Sequence, residues 1–365
     1  MRRILSIFLC LVLLVQPCRS AGQISAQCFV LMDGDSGEIL TEKNAQQQCP
    51  IASITKLLTA LTALESGHLP SEQVIITRES VGAEGSSIYL REGEVLTLEA
   101  LLYGLLLKSG NDAALAIAVH CAGSTENFVA CMNRKARELG MNNSHFSNPH
   151  GLHAEDHYSS ACDMALLAKA CLEQPLLAEI VASRYAAFGS RSFKNHNKLL
   201  WHYPGCIGMK TGYTEAAGRT LVSAARRGGK TLICVTLNAP DDWNDHTALL
   251  NHGFAEYVPV RLVHAGEQLG WIGVEGSLIP AVPVLAASEL IYPLRKSQQP
   301  VRNAKWSVGQ LKAPCPSGTK AGTLSFLLSG AEIGCVGLVT GSAVPDEHQE
   351  YHNPAERIRN WLKAG

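Results

Sequence analysis

The stretch SITKLLTALTALES, residues 53 to 66, joins a serine, a lysine three positions later and an apolar pattern of helical spacing. Residues i and i+3 share one face of a helix, so the side chains of Ser53 and Lys56 are expected to lie side by side. A serine hydroxyl becomes a good nucleophile when a base removes its proton, and lysine is such a base when burial or a second cation lowers its pKa. The segment therefore predicts acyl transfer through Ser53.

A second motif, Ser109-Gly110-Asn111, separates two strongly apolar runs, residues 98–107 and 113–119. Both runs are long enough to be buried helices, and polar side chains held between buried helices need hydrogen-bond partners. Taken alone, the motif could be an ordinary helix-to-helix turn in which Asn111 or Asp112 caps the second helix. Because the motif follows Ser53 and Lys56 in the chain, its residues are also candidates for lining the site that contains Ser53 and Lys56.

A third motif, Lys210-Thr211-Gly212, precedes two β-like runs, residues 219–225 and 230–237, joined by a Gly-Gly turn that is typical of a hairpin. The motif is therefore expected on a neighbouring strand, from which Lys210 can supply the second cation. A lone Lys-Thr-Gly would be a solvated strand end, but three motifs in this order and in compatible surroundings indicate one catalytic site. A decoy, Ser317-Gly318-Thr319-Lys320, repeats the first pattern without an apolar helix behind it.

Together the motifs resemble those of the serine D-alanyl-D-alanine carboxypeptidases, the low-molecular-mass penicillin-binding proteins. The segment Asn148-Pro149-His150-Gly151-Leu152 resembles a further part of that family, and the likeness runs from about Cys28 to Tyr257. It implies an α+β fold: a β-lactamase/transpeptidase-like catalytic domain, with an antiparallel sheet and a helical subdomain, followed by a small all-β domain. Strands predicted at both ends of the region, with helices between them, agree with that fold.

The resemblance implies a role for each residue of the three motifs. The catalytic residues would be Ser53 as nucleophile, Lys56 as general base and Ser109 as proton relay. The substrate-binding residues would be Asn111, Lys210, Thr211, Gly212 and Tyr213. Among these, Asn111 would contact the substrate amide, Lys210 and Thr211 would face its carboxylate, and the backbone N–H groups of Ser53 and Tyr213 would form the oxyanion hole. Neither a metal nor another cofactor is implied.

One departure from the family and two alternative functions follow from other segments. Some relatives place an arginine shortly before a Leu-Leu-x-x-Gly-Phe segment to bind the carboxylate, whereas residues 241–246 here contain none. Lys210 and Thr211 must therefore contribute more of the carboxylate binding.

A class A β-lactamase would add a water-activating glutamate, and Glu138 with Asn142 fits its spacing, although a solvated helix face explains Glu138 as well. The other alternative is a penicillin-binding sensor or cell-wall-binding protein that is acylated once without turnover.

Length and composition predict an exported protein of two domains. The chain has 365 residues, of which 46% are hydrophobic. The apolar run from Ile4 to Val15 behind two arginines is typical of a signal peptide. We therefore expect a signal peptide at 1–22, the catalytic domain at 23–258 and a small β-sandwich at 259–345, where short apolar runs are broken by Gly and Pro. Export would place the protein at the extracytoplasmic face of the cell membrane or in the cell wall.

The implied partners are peptidoglycan stem peptides ending in D-Ala-D-Ala, and β-lactams. The tail at 346–365 is predicted to be an amphipathic helix with the apolar residues Ile358, Trp361 and Leu362 on one stripe. This helix could pack on its own domain or make peripheral contact with a membrane, although three apolar side chains bind a bilayer weakly. A formal net charge of −1 gives no reason to expect a nucleic-acid partner.

The cysteines and histidines support no metal site in the sequence. Ten cysteines remain after the signal segment, without the paired short spacing of a zinc site. Several lie in apolar helical stretches, so mostly free thiols are expected, and Cys315 with Cys335 is the best candidate for a disulfide. Four histidines fall between His145 and His157, but they lie in a loop and show no ligand set committed to one metal geometry.

Overall fold

The fold is that of a computed structural model in which residues 24–277, 279–298, 303–309 and 311–345 are described. The predicted signal peptide and the predicted amphipathic tail lie outside these residues. The eight α-helices of the described part are α1 Lys56–Leu64, α2 Leu98–Leu107, α3 Asn111–Ala122, α4 Thr125–Glu138, α5 Ala161–Glu173, α6 Pro175–Ala182, α7 Leu199–His202 and α8 Asp242–Glu256. None of these helices combines the length and the apolar character that a membrane span requires.

The strands fall into two groups along the chain. The first group is β1 Cys28–Asp33, β2 Ile39–Lys43, β3 Gln73–Ile75, β4 Val95–Thr97, β5 Tyr185–Phe188, β6 Arg191–Lys194, β7 Cys206–Thr214, β8 Gly218–Arg227 and β9 Lys230–Leu237. The second group is β10 Tyr257–Val263, β11 Gln268–Glu275, β12 Ala281–Ala286, β13 Leu290–Arg295, β14 Asn303–Val308, β15 Leu311–Lys312, β16 Lys320–Leu328 and β17 Ala331–Thr340. Helices therefore lie between strands in the first part, and the second part is all β.

A five-stranded antiparallel sheet of order β2-β1-β9-β8-β7 supports the catalytic part. The predicted hairpin is present, because β8 pairs with β9 across the Gly-Gly turn, and β1 pairs with β2 in a second hairpin. The central strand β9 is buried along its whole length because α5 packs on one face of the sheet and α8 on the other. The strand that carries Lys210, β7, lies at the sheet edge and pairs with β8, as predicted.

The helical subdomain packs on the side of the sheet that α5 covers. Its centre is α1, in which every residue from Lys56 to Ala63 is buried, and α2 and α3 pack against it. The two apolar runs form separate helices, because the Ser109-Gly110 turn ends α2 and starts α3 at Asn111. One core extends from α1 through these helices to the inner face of the sheet. The predicted α+β fold is confirmed.

The second part has its own apolar core and forms the predicted small all-β unit. Six strands form one sheet of order β14-β16-β17-β12-β11-β15, and β10 pairs with β13 in a two-stranded ribbon. The decoy serine lies here, in the turn before β16, where Ser317 Oγ donates to the carbonyl of Thr340 at 3.4 Å. The boundary between the two units at 258–259 stays a prediction.

The predicted disulfide between Cys315 and Cys335 is wrong. Both cysteines are free: Cys315 forms an isolated bridge to Val344, whereas Cys335 lies on β17 opposite Ser325. Thr340, at the end of β17, donates to the carbonyl of Pro316, the neighbour of Cys315, at 2.9 Å. The five steps of strand from Cys335 to Thr340 cover about 16 Å, so Cys335 lies far beyond the reach of a disulfide with Cys315. The other described cysteines are also free, and two buried thiols, of Cys28 and Cys49, lie 3.5 Å apart.

Candidate active site

Ser53 lies in a 3₁₀ turn, Ala52–Thr55, that leads directly into α1. The sequence pattern predicted one continuous α-helix here, but the first turn is tighter, and Ala52 has a left-handed φ of 52°. A β-carbon makes that region unfavourable, so the surroundings must hold the residue before the serine in place. Lys56 is the first residue of α1, and the predicted proximity of Ser53 and Lys56 is confirmed.

Two hydrogen-bonded anchors fix this turn. Thr220 Oγ1, on β8, donates to the carbonyl of Ile51 at 2.9 Å. Thr55 Oγ1 donates to the carbonyl of Ala52 at 2.8 Å and lies 2.8 Å from Nε2 of the buried His157. The other ring nitrogen of His157 accepts a backbone N–H, so Nε2 carries the proton and donates to Thr55. Sheet and loop thus hold the backbone of Ser53 from both sides.

The amine of Lys56 is fully buried and has three polar neighbours. It lies 2.9 Å from Ser53 Oγ and 2.7 Å from Asn111 Oδ1, and it donates to the carbonyl of His150. Burial, and next the positive charge of Lys210, hold the pKa of Lys56 well below its usual value, although Asp112 acts in the opposite sense. A neutral amine within hydrogen-bond reach of a serine hydroxyl can accept its proton.

The Ser109 turn lies beside the second lysine. Lys210 Nζ donates to Ser109 Oγ at 3.1 Å and to the carbonyl of Thr211 at 2.7 Å. Burial lowers the pKa of Lys210 to about 7. Ser109 is itself buried and has a left-handed φ of 63°, an uncommon backbone conformation that recurs at functional sites. The three motifs that are far apart in sequence therefore meet in one pocket.

The side chain of Asn111 is held in place by hydrogen bonds within the protein. Its Oδ1 accepts from Lys56, and its Nδ2 donates to the carbonyl of Glu84. The adjacent Asp112 is buried and accepts from the backbone N–H groups of Ile88 and Leu90, at 3.0 and 3.1 Å. The loop at 84–90 is therefore fastened onto the turn by two consecutive side chains of α3. The predicted contact of Asn111 with a substrate amide stays a prediction.

Gly212 lies where β7 passes the nucleophile. A β-carbon on Gly212 would come within 2.4 Å of Thr220 Oγ1 and 3.0 Å of the backbone nitrogen of Ser53. The glycine thus allows the strand to approach the Ser53 amide. The next residue, Tyr213, has a side chain that is 65% exposed, and Thr211 is partly buried. The strand edge beside Ser53 is therefore open to a ligand at Thr211 and Tyr213.

Glu138, which a sequence pattern offered for another function, has a structural partner. Glu138, the candidate water activator of a β-lactamase, is half exposed on α4 and pairs with Lys135 at 2.6 Å. Lys135 also pairs with Glu65, just beyond the end of α1, so Glu138 lies at the opposite end of α1 from Lys56. Glu138 therefore lies on a solvated helix face away from Ser53, and its position gives no support to the β-lactamase alternative.

Several functional neighbours carry no recognisable sequence signal. Asp112 follows the Ser-x-Asn motif, where an aspartate is indistinguishable from an ordinary helix cap. Thr220 is indistinguishable in sequence from any other threonine of a β-strand. The carbonyl of His150 acts through its backbone, which no side-chain pattern can reveal. Arg219 lies opposite Tyr213 in the pairing of β7 with β8. Two nitrogens of its guanidinium bind Asp242, at 2.8 and 3.0 Å, so this positive charge already has a partner. Among these residues, only His150 lies in a segment that the family resemblance had marked, residues 148–152.

The comparisons with known proteins agree with this geometry. A family described as D-alanyl-D-alanine carboxypeptidase matches residues 15–241. The chain is 34% identical over 314 residues to D-alanyl-D-alanine carboxypeptidase DacF of Bacillus subtilis, covering 82% of this chain and 80% of that protein. It is 31% identical to DacC of Escherichia coli, covering 86% and 82%. The structure of penicillin binding protein 5 from Haemophilus influenzae has a TM-score of 0.78, with 31% identity over 88% of this chain and 98% of that one. The chain belongs to the D-alanyl-D-alanine carboxypeptidase family of serine peptidases.

Proposed function

We propose that this enzyme removes the terminal D-Ala from peptidoglycan stem peptides through an acyl-enzyme on Ser53. The observation that carries the proposal is the contact between Ser53 Oγ and the buried amine of Lys56, at 2.9 Å. Family membership supports a serine carboxypeptidase with D-Ala-D-Ala as substrate and β-lactams as ligands. The roles of individual residues follow from their positions around that contact.

In the first step, the neutral amine of Lys56 takes the proton of Ser53 as Oγ attacks the carbonyl carbon of the penultimate D-Ala. The tetrahedral oxyanion would accept hydrogen bonds from the backbone N–H groups of Ser53 and Tyr213, which Gly212 allows to lie close together. One such donor is worth about 10²- to 10³-fold in rate. The C–N bond then breaks, and the leaving amine must receive a proton.

The hydrogen bond between Lys210 and Ser109 offers a route for that proton. Because the pKa of Lys210 is about 7, this amine can both hold and release a proton near neutral pH. Ser109 Oγ would pass the proton to the nitrogen of the departing D-Ala and recover one from Lys210. Before the second step, the proton that Lys56 took from Ser53 would pass to Lys210, which restores a neutral Lys56 and a protonated Lys210. Lys56 would then take a proton from the water that attacks the acyl-enzyme and give it to Ser53 Oγ as the ester C–O bond breaks, and the shortened stem peptide would leave.

Recognition of the terminal carboxylate falls to Lys210 and Thr211 in this proposal. Arg219 is engaged by Asp242, so its charge is already compensated at the edge of the cleft. A β-lactam carries its carboxylate at a comparable position and would acylate Ser53 in the same way. Its ring-opened product remains covalently attached and has no leaving group that diffuses away.

Export and contact with a membrane also belong to the proposal. The apolar segment behind Arg2 and Arg3 would direct the chain out of the cytoplasm. Its peptidoglycan substrate lies on the outer side of the cell membrane. The amphipathic stripe of residues 346–365 could then touch the outer face of the cell membrane. Fractionation of cells that produce the full chain, compared with a chain ending at residue 345, tests the contribution of that tail.

Release of free D-Ala from a stem-peptide mimic ending in D-Ala-D-Ala tests the enzymatic function. We expect multiple turnovers by the wild-type enzyme and none by Ser53→Ala. Stoichiometric acylation by penicillin without any D-Ala release would instead support a penicillin-binding sensor that is acylated once. Turnover that persists in Ser53→Ala would contradict the proposed nucleophile.

A further inference from the structure

A cluster of two imidazoles and one carboxylate lies at the far end of the helical subdomain. His68 follows α1, Glu72 precedes β3, and His120 lies in the last turn of α3. Their potential ligand atoms all lie within 4.8 Å of one another. Glu72 Oε2 is 2.7 Å from His68 Nδ1 and 3.4 Å from His120 Nε2. Two segments that are distant in sequence, residues 68–72 and the last turn of α3, thus bring metal-binding groups to one point.

The carboxylate of Glu72 is already oriented with one oxygen toward the two imidazoles. Its Oε1 accepts the backbone N–H of Leu69 at 2.7 Å, which leaves Oε2 facing the two imidazoles. Hydrogen bonds of this kind to the outer oxygen are how proteins orient ligating carboxylates. Within the described residues, no lysine or arginine pairs with Glu72, so its charge has only the two histidines as partners.

The buried nitrogen of His120 gives a second, independent reason to expect a ligand. Its Nε2 is shielded from solvent and has no well-oriented hydrogen-bond partner among the described residues, because its 3.4 Å approach to Glu72 Oε2 is misaligned. A buried polar atom without a partner costs about 1–3 kcal/mol, so native structures rarely keep one. A cation between His120 and Glu72 would give this nitrogen a partner and compensate the carboxylate.

We infer that His68, Glu72 and His120 bind a divalent transition metal ion, for which Zn²⁺ is the natural probe. Nitrogen and oxygen ligands hold Zn²⁺ at about 2.0 Å, so tetrahedral ligand atoms are roughly 3.3 Å apart. Glu72 Oε2 lies 2.7 Å from His68 Nδ1 and 3.4 Å from His120 Nε2, on either side of that value. Small side-chain rotations would therefore bring these atoms to ligand distances. The fourth position faces solvent, because His68 and Glu72 are about one-third exposed.

The position of this cluster predicts a structural role. Lys56 and Asn111 begin α1 and α3 at the catalytic pocket, and the cluster joins the opposite ends of the same two helices. Nine residues of α3 from Asn111 to His120 place the metal about 13 Å from the pocket along the helix axis. The ion would therefore tie the two catalytic helices together without contact with the substrate. It is also distinct from the loop histidines His145 to His157 that the sequence brought to attention.

Zinc titration of the metal-stripped full-length enzyme against a chromophoric chelator tests the inference. We expect one ion per chain, with affinity reduced at least about tenfold by Glu72→Gln and by His120→Asn. Both replacements are close in shape to the original side chain, and Glu72→Gln keeps an oxygen for the Leu69 N–H. Added Zn²⁺ should raise the thermal midpoint of the wild type and leave that of either variant unchanged.

His145→Asn is the matched control, because His145 also faces a carboxylate, that of Asp156 at 3.7 Å, but no third ligand joins this pair within the described part of the chain. Its zinc affinity should equal that of the wild type. Acylation by penicillin reports that each variant is folded, since the cluster lies outside the catalytic pocket. X-ray absorption at the zinc edge should show two imidazoles in the wild-type complex. No saturable zinc binding by the wild type, or equal binding by folded Glu72→Gln and His120→Asn, would overturn the inference.

Discussion

The amine of Lys56 lies 2.9 Å from Ser53 Oγ, and its surroundings hold its pKa well below the ordinary value for lysine. Burial is the larger cause of its lowered pKa, and the positive charge of Lys210 is the next. A lysine base therefore works here because a second lysine shares its pocket. This dependence of one residue on the other leads to the first prediction.

Replacing Lys210 by Met should move the pH dependence of acylation to higher pH. Without the neighbouring positive charge, the pKa of Lys56 rises, and a larger share of the base is protonated at neutral pH. The rate of acylation by a fluorescent penicillin, measured against pH, should show its acidic limb displaced upward. The exposed Lys312→Gln serves as the control with an unchanged profile. A limb that stays in place in Lys210→Met would mean that Lys210 does not tune Lys56.

The same replacement should stabilise the fold at acidic pH. The folded pKa of Lys210 is about 7, below its ordinary value of about 10.4, so protonated Lys210 disfavours the folded state most at low pH. The penalty fades as pH rises from about 7 toward 10. Lys210→Met should therefore raise the free energy of unfolding at pH 6, by at least about 1 kcal/mol after the lost hydrogen bonds are counted. Denaturant unfolding at pH 6 and pH 9 checks both the sign and the decline.

Two replacements of Asn111 should have different pH signatures. Asn111→Ala removes the acceptor that positions Lys56, so acylation should fall about 100-fold at every pH. Asn111→Asp keeps an acceptor but adds a negative charge, which raises the pKa of Lys56, so its acylation should recover as pH rises. Stopped-flow acylation between pH 6 and 10 separates the two. Asn127→Asp, on the exposed start of α4, should behave as wild type; identical profiles for both Asn111 variants would refute a link to Lys56.

Gly212→Ala should damage the site more than the fold. The new methyl group would lie 2.4 Å from Thr220 Oγ1 and 3.0 Å from the Ser53 nitrogen, so β7 must move away from the nucleophile. We expect acylation to fall about 100-fold and the free energy of unfolding to fall by about 1–3 kcal/mol. Gly273→Ala is the control, because its β-carbon would meet only an ordinary contact at 3.7 Å. Normal acylation by Gly212→Ala would show that the strand has room.

Acid should destabilise the fold through a buried histidine. His246 lies between Ser223 Oγ, at 2.6 Å, and Thr236 Oγ1, at 3.0 Å, and burial lowers its pKa to about 3. Between pH 6.5 and that value the unfolded chain binds a proton that the folded protein does not, so stability falls as pH falls. The slope should be about 1.4 kcal/mol per pH unit for this one group. His246→Gln should flatten the dependence of unfolding free energy on pH between 6 and 4; an unchanged slope would assign acid sensitivity to other groups.

The parts of the site that depend on local pattern were predictable from the sequence. Apolar runs on each side of Ser109-Gly110-Asn111 placed a turn between two buried helices, and the Gly-Gly turn placed Lys210 on an adjacent strand. What pattern could not reveal is how the backbone is held. The 3₁₀ geometry at Ser53 depends on Thr220, and the acceptor at His150 is a carbonyl, neither of which changes the spacing of apolar residues.

Long-range pairs were the least predictable feature. Cys315 and Cys335 flank a β-like segment in sequence, yet the strand between them keeps them apart. His68 and Glu72 are four residues apart, but His120 shares no motif with them, because the packing of α3 alone brings it beside Glu72. The histidines that did cluster in sequence instead support a loop, where His157 donates to Thr55.

Mass spectrometry of the intact protein after penicillin treatment, followed by peptide mapping of the adduct, tests the central claim most directly. One covalent adduct per chain on the peptide that contains Ser53, absent from Ser53→Ala, is the predicted result. An adduct on another residue, such as Ser109 or the decoy Ser317, or a Ser53→Ala variant that is still labelled, would contradict it.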